Sequence, residues 1–124
     1  MSEESYNGWH NRETWCVALW LSNEESSYRY WQDAAREAYR EAKDDPDVTK
    51  GTFTRKESAG FALKDRLKEE HEEAAGLASG QQAATVFTDL MQGALDSVDW
   101  YEIAHDDLLE GCEGWDEDEE DDDE

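Results

Sequence analysis

Beyond Lys68 the chain contains no lysine and no arginine. All 11 basic residues lie within residues 1–68, beside 13 acids, whereas residues 69–124 carry 21 acids alone. The first stretch is close to neutral and the second is a polyanion, for a formal net charge of −23. Direct binding of DNA or RNA requires a basic patch facing the phosphates. The available cations, among them Arg36, Arg40, Lys64, Arg66 and Lys68, are interleaved with acids, so no direct nucleic-acid partner is expected.

Other absences narrow the field further. No run of 18 or more apolar residues occurs, so no membrane span is expected. The start, Met1-Ser2-Glu3-Glu4, is acidic with no apolar block behind it, unlike a secretory signal. A cytoplasmic location is the resulting expectation. Only two cysteines are present, Cys16 and Cys112, and they share no paired motif. A reducing compartment disfavours a disulfide between them. Cys16 lies in an apolar segment and reads as a buried thiol, whereas Cys112, between two glycines, reads as part of an exposed linker.

The chemistry of catalysis is missing as well. The eight glycines include no Gly-x-Gly, so no phosphate-cradling loop is present. His10, His71 and His105 are far apart, with no His-Glu-x-x-His or paired-cysteine spacing. Lys68-Glu69-Glu70-His71-Glu72-Glu73 is rich in ligand types, but a solvated acidic helix face accounts for it. No nucleophile stands beside a base and an orienting group in any local signature. The expectation is a protein without enzymatic activity, with no cofactor and no metal site.

What is present is helical. Asn11 is a candidate N-cap for the run Thr14-Trp15-Cys16-Val17-Ala18-Leu19-Trp20-Leu21. A run apolar on every side predicts a helix buried on most sides, and a strand is the alternative. As the most apolar element it is expected at the centre, with Trp15, Leu19 and Trp20 in the core; Trp9 and His10 are the exposed candidates for a contact patch. Ser22 or Asn23 can cap a second helix over 24–44, with Tyr28, Trp31, Ala35, Ala38 or Tyr39, and Ala42 on its inner face. Residues 46–53 read as a loop. Thr54 and Glu57 form a capping box for a helix to about Ala75, with Ala59, Ala62, Leu63, Leu67, His71 and Ala74 inward. A fourth helix over 81–97 has the stripe Ala83, Val86, Phe87, Leu90, Met91, Ala94 and Leu95. Asp99 and Glu102 suggest a second capping box for a short helix bearing Trp100, Ile103, Ala104 and Leu108. The expected fold class is all-α: a compact bundle of four to five helices over residues 1–110, then an acidic, disordered tail over 111–124.

The segment Trp9-His10-Asn11-Arg12-Glu13-Thr14-Trp15, continued by Val17-Ala18-Leu19-Trp20-Leu21 and Asn23-Glu24-Glu25, is distinctive. It resembles the N-terminal signature of a group of small, uncharacterised proteins of phages, plasmids and related mobile elements. The pattern runs from Trp9 to Glu25 without a gap and covers about the first 30 residues. The resemblance implies a mobile-element setting and assigns no activity.

The polyanion carries the functional expectation. DNA presents one negative charge per about 1.7 Å of axis to the basic grooves that bind it. Carboxylates fixed on helices can occupy such a groove instead. Glu69, Glu70, Glu72, Glu73, Asp89, Asp96, Asp99, Glu102, Asp106, Asp107 and Glu110 fall on expected helices, and Asp116, Glu117 and Asp118 open the tail. These form the candidate partner-binding surface. The expected partner is a basic protein surface, such as that of a DNA-targeting or RNA-guided nuclease of host defence. The alternative is an acidic adaptor, or a salt-adapted small protein, without mimicry. Salt adaptation spreads acids evenly, whereas residues 1–68 are nearly neutral.

Overall fold

Asn11 turns the chain into its first helix: its Oδ1 accepts from the backbone N–H of Thr14 at 2.9 Å and from Thr14 Oγ1 at 2.6 Å. The computed structural model describes residues 7–76 and 85–115, and its regular elements there are all helical. Helix α1 spans Arg12–Asn23. Ser22 does not cap the next helix, because its hydroxyl donates back to the carbonyls of Ala18 and Leu19. Asn23 is absorbed as the last residue of α1, and α2 (Glu25–Ala42) starts from Glu24 without a side-chain cap. The inner face of α2 is Trp31, Ala34, Ala35, Tyr39 and Ala42.

The expected loop over 46–53 contains a turn of helix, α3 (Pro46–Thr49). Proline at its first position has no N–H to waste, and Asp45 caps it by accepting from the N–H of Asp47. The other oxygen of Asp45 accepts from Ser58 Oγ, which ties this turn to the following helix. Gly51 then reverses the chain at φ 87°, a left-handed conformation that suits glycine.

Helix α4 (Arg55–Ala74) begins with the expected reciprocal capping box between Thr54 and Glu57. It is the central element, packed against α2 on one side and against residues 100–108 on another. Its start is built for close approach: Ser58, Ala59 and Gly60 are buried in succession. A Cβ on Gly60 would stand 2.8 Å from Cε1 of Tyr101, so the ring needs the missing side chain. Leu63 and Leu67 continue the buried face, while Ala62 and Ala74 turn outward.

Helix α1 is therefore not central. It buries Thr14, Ala18 and Leu21, but Leu19 and Trp20 are 36% and 66% exposed and Trp15 is half-buried. A run apolar on every side offers no unique inner face, and only one side of α1 meets the bundle. Cys16 lies on its exposed side, opposite to the expectation.

Helix α5 (Val86–Asp96) departs further from its expected role. Thr85 caps it by accepting from the Thr88 N–H; residues 81–84 of the expected helix lie outside the described residues. Val86, Phe87, Leu90 and Met91, expected as core, are exposed, and only Leu95 packs against the core. The core beside α4 is already filled by Val98, Trp100, Ile103, Leu108 and Leu109.

Asp99 caps α6 (Trp100–Glu102), accepting from the Glu102 N–H at 3.0 Å. The return half of a capping box is not made. The Asp99 N–H donates to Thr14 Oγ1 at 2.8 Å, and Glu102 Oε1 accepts from the His10 N–H at 2.9 Å. Both bonds anchor α1 to α6. From Ile103 to Leu108 the helix widens to π geometry. Trp100, Ile103, Ala104 and Leu108 are buried, as their spacing predicts.

The stretch read as a linker is packed. Gly111 (φ 78°) opens a 3-10 turn over Cys112–Gly114, and Cys112 is fully buried. Trp115 meets the Tyr39 ring edge-on at 5.6 Å and receives the Arg36 guanidinium over its face. The order of the two thiols is thus inverted, Cys16 exposed and Cys112 buried, and both are free. Among the described residues no helix is long and apolar enough to cross a membrane.

Candidate functional site

The acids predicted to form one surface divide into two groups. Along the second half of α4, Glu70 and Glu72 are answered by cations. Arg66 Nε donates to Glu70 at 3.0 Å, and its Nη2 donates to the hydroxyl of Tyr30, which in turn donates to Glu70. Those bonds to Tyr30 and then Glu70 push the Arg66 guanidinium further from deprotonation than usual. Lys68 Nζ lies 3.7 Å from both Glu72 and Asp96, and Gln92 Nε2 donates to the same two carboxylates at 3.1 Å. Glu70, Glu72 and Asp96 therefore join α2, α4 and α5. Asp99 is committed to its cap. Glu69, Glu73 and Asp89 are exposed.

The second group gathers around Trp9. Gly8, Trp9, Glu102, Asp106, Asp107 and Glu110 line an open depression of about 340 Å³. Trp9 and Asp107 are shared with a neighbouring groove that adds Trp15, Ala18, Leu19, Ser22 and Tyr28. One wall is thus four carboxylates and the other is aromatic. Among the described residues no lysine or arginine pairs with any of the four. Asp106 has only the His105 ring, with Nδ1 at 2.8 Å from its carboxylate. Asp107 is half-buried; burial pushes its carboxyl above the ordinary range, and Glu110 adds to the push. A carboxylate kept charged there is short of both water and counter-charge.

The local backbone explains the clustering. In the π segment Ile103, Ala104 and Leu108 face inward, which leaves Asp106 and, in part, Asp107 outward beside Glu102 and Glu110. Trp9 reaches this wall because the His10 N–H is bonded to Glu102 and the Asn11 amide donates to the Ser97 carbonyl at 2.7 Å. Of the pair expected as an exposed contact patch, His10 is exposed but Trp9 is half-buried against the core, and nothing in their sequence signals that they meet residues 102–110. A contact across more than 90 positions leaves no local trace. Asp116, Glu117 and Asp118 lie outside the described residues.

The other ring and thiol groups serve packing. His71 Nδ1 donates to the Leu67 carbonyl at 2.7 Å, and its ring lies against Trp31 and Trp100. It borders an apolar cleft of about 540 Å³ with Cys16, Val17, Trp20 and Leu21. The Cys112 thiol is pushed up first by burial and then by Glu113, which keeps it protonated rather than nucleophilic. Among the described residues no three His, Cys, Asp or Glu side chains gather as a metal-ligand group.

No curated protein and no solved structure matches the chain. A protein-family model does, and it reaches far past the N-terminal signature to take in α5, the carboxylate wall and the buried Cys112. With residues 2–117 matched, the chain belongs to a family of unknown function (DUF7249).

Proposed function

We propose that this is a non-enzymatic, acidic interaction protein whose carboxylate wall occupies a basic protein surface in place of nucleic acid. The observation that carries the reading is the lack of any lysine or arginine partner for Glu102, Asp106, Asp107 and Glu110 among the described residues. Acids on α4 show that this chain neutralises carboxylates where it uses them for packing. A wall left uncompensated is a surface whose favourable partner is a cation supplied from outside. Charge of one sign also steers a basic partner toward the wall. The target is a groove that normally holds DNA or RNA, such as that of a host-defence nuclease. The N-terminal signature points to a phage or plasmid setting and hence to the cytoplasm.

The test is competition. A basic-grooved defence nuclease bound to labelled DNA is titrated with the protein in a gel-shift assay. Release of DNA at low salt, weakening as salt rises, is expected. The triple variant Asp106→Asn/Asp107→Asn/Glu110→Gln should lose potency by about tenfold or more, consistent with losing close charge pairs at an interface. Removal of 116–124 then separates tail from wall. Full DNA occupancy by every tested nuclease at excess protein and low salt would remove the mimic reading.

A second reading, an acidic adaptor without mimicry, is favoured by one observation. The exposed apolar residues of α5 have no counterpart on DNA.

A further inference from the structure

Helix α5 carries Val86, Phe87, Leu90 and Met91 at 61%, 76%, 67% and 46% exposure. At about 100° per residue these four and Ala94 share one face, a stripe of roughly 140°. The opposite side is the one fastened to the bundle. Leu95 packs on the core, its carbonyl accepts from Trp100 Nε1 at 3.1 Å, and Gln92 reaches Glu72. Scattered apolar residues on a surface are ordinary, but four large ones in a row along one helix face mark an interaction site. Charge complementarity defines what fits. Exposed Asp89 falls on the flank beside Val86, Glu69 and Glu73 are exposed on the neighbouring α4, and α5 itself has no basic residue; Asp96 on the same flank is already met by Lys68 and adds no free charge. A second copy of this chain would bring another acidic α5 against the first, which the like charges oppose.

We infer that α5 is a docking face for an amphipathic, basic helix of a partner protein. The helix lays its apolar side along Val86, Phe87, Leu90 and Met91 and its lysines or arginines toward the acidic flank. Apolar anchors at helical spacing give the affinity, and the acids select a basic partner over a neutral or acidic one. The surface is separate from the carboxylate wall, so the inference does not depend on nucleic-acid mimicry.

The test uses the full-length protein and a fluorescein-labelled, 14-residue Leu/Lys peptide with leucines at helical spacing. The controls are a same-composition peptide with leucines dispersed around the helix and a Leu/Glu peptide of the first pattern. Anisotropy at about 0.15 M salt, where exposed charges more than about 8 Å apart are largely screened, should show the patterned Leu/Lys peptide binding at least about tenfold tighter than either control. Phe87→Ser/Leu90→Ser should weaken it by about tenfold or more, while Asp106→Asn/Glu110→Gln should leave it nearly unchanged. Both replaced side chains are exposed, and Met91→Lys supplies a single-site substitute if the double variant misfolds. Equal binding of patterned and dispersed Leu/Lys peptides would overturn the inference, since charge alone would then suffice. So would no binding, or undiminished binding by the α5 variants. A wild-type dimer in sedimentation that Phe87→Ser/Leu90→Ser dissociates would overturn it too, by assigning the face to a second copy. None of these outcomes bears on the nuclease competition, which reads the wall.

Discussion

Two side chains show how the N-terminal and C-terminal parts are joined, and each makes a prediction. Thr14 is fully buried although polar, because its hydroxyl donates to Asn11 Oδ1 and accepts from the Asp99 N–H. Thr14→Val keeps the shape and strands the Asp99 N–H, so a loss of about 1–3 kcal/mol is expected. Urea unfolding, read as a lower midpoint at unchanged slope, measures it. Asp107 acts in the opposite sense. Its carboxyl is pushed up in the folded state, so folding favours the protonated form. Stability is then lost as pH rises from the unfolded pKa through the raised folded value, and the loss is complete above it. Asp107→Asn should raise the melting temperature by a few degrees at pH 7 and change it little near pH 3. An equal effect at both pH values would show that titration of Asp107 is not the cause. A stability gain with weaker partner binding is the usual trade at a functional surface. Thr14 and Asp107 look ordinary in sequence, one a polar residue in a first turn and the other one acid among 34. Their roles come from contacts with distant residues and could not be read locally.

At the scale of elements, what was legible is what neighbouring residues decide. The Thr54–Glu57 capping box, the Asn11 cap, the Asp99 cap and the inner faces of α2 and α6 follow from short-range hydrogen bonding and helical spacing. What was not legible is which helix goes in the middle. Apolar content pointed to α1, and the bundle chose α4, whose mean hydropathy is low. The deciding property is closeness of approach, supplied by Ser58, Ala59 and Gly60 beneath the Tyr101 ring. Gly60→Ala tests this with two opposed magnitudes. Alanine gains about 1 kcal/mol of helix propensity over glycine. Overpacking typically costs about 1–3 kcal/mol. Tyr101 is stacked on Phe61 at 5.3 Å and on His105 at 5.1 Å, so it has little room to yield. Net destabilisation in thermal melts is expected, and Tyr101→Leu should reverse its sign by removing the ring.

For the whole molecule the governing quantity is the charge of −23. The candidate surface was legible as an acidic half. Its resolution into Glu70, Glu72 and Asp96, met by Arg66 and Lys68, and an uncompensated wall beside Trp9 was not, because the reach of those two cations depends on packing. Self-repulsion on this scale opposes compaction and is screened by salt, with a Debye length of about 10 Å at 0.1 M. The melting temperature should therefore rise between about 0.02 and 0.5 M sodium chloride, the opposite of the trend expected for partner binding. A flat or falling melting temperature would mean that the repulsion is already relieved within the fold.

The π segment at Ile103–Leu108 gives this surface a phase as well as a charge. A π turn accommodates one more residue than an α turn, and one residue is worth about 100° of rotation. Glu110, Cys112 and Trp115 follow that extra residue, so their bearing around the bundle depends on it. A single deletion between Ala104 and Asp107 that restored α geometry would leave composition almost intact. It would swing Glu110 out of line with Glu102 and carry Trp115 away from Tyr39. A one-residue deletion at this point is therefore the change that relocates the wall, whereas exchanges between aspartate and glutamate merely adjust its reach.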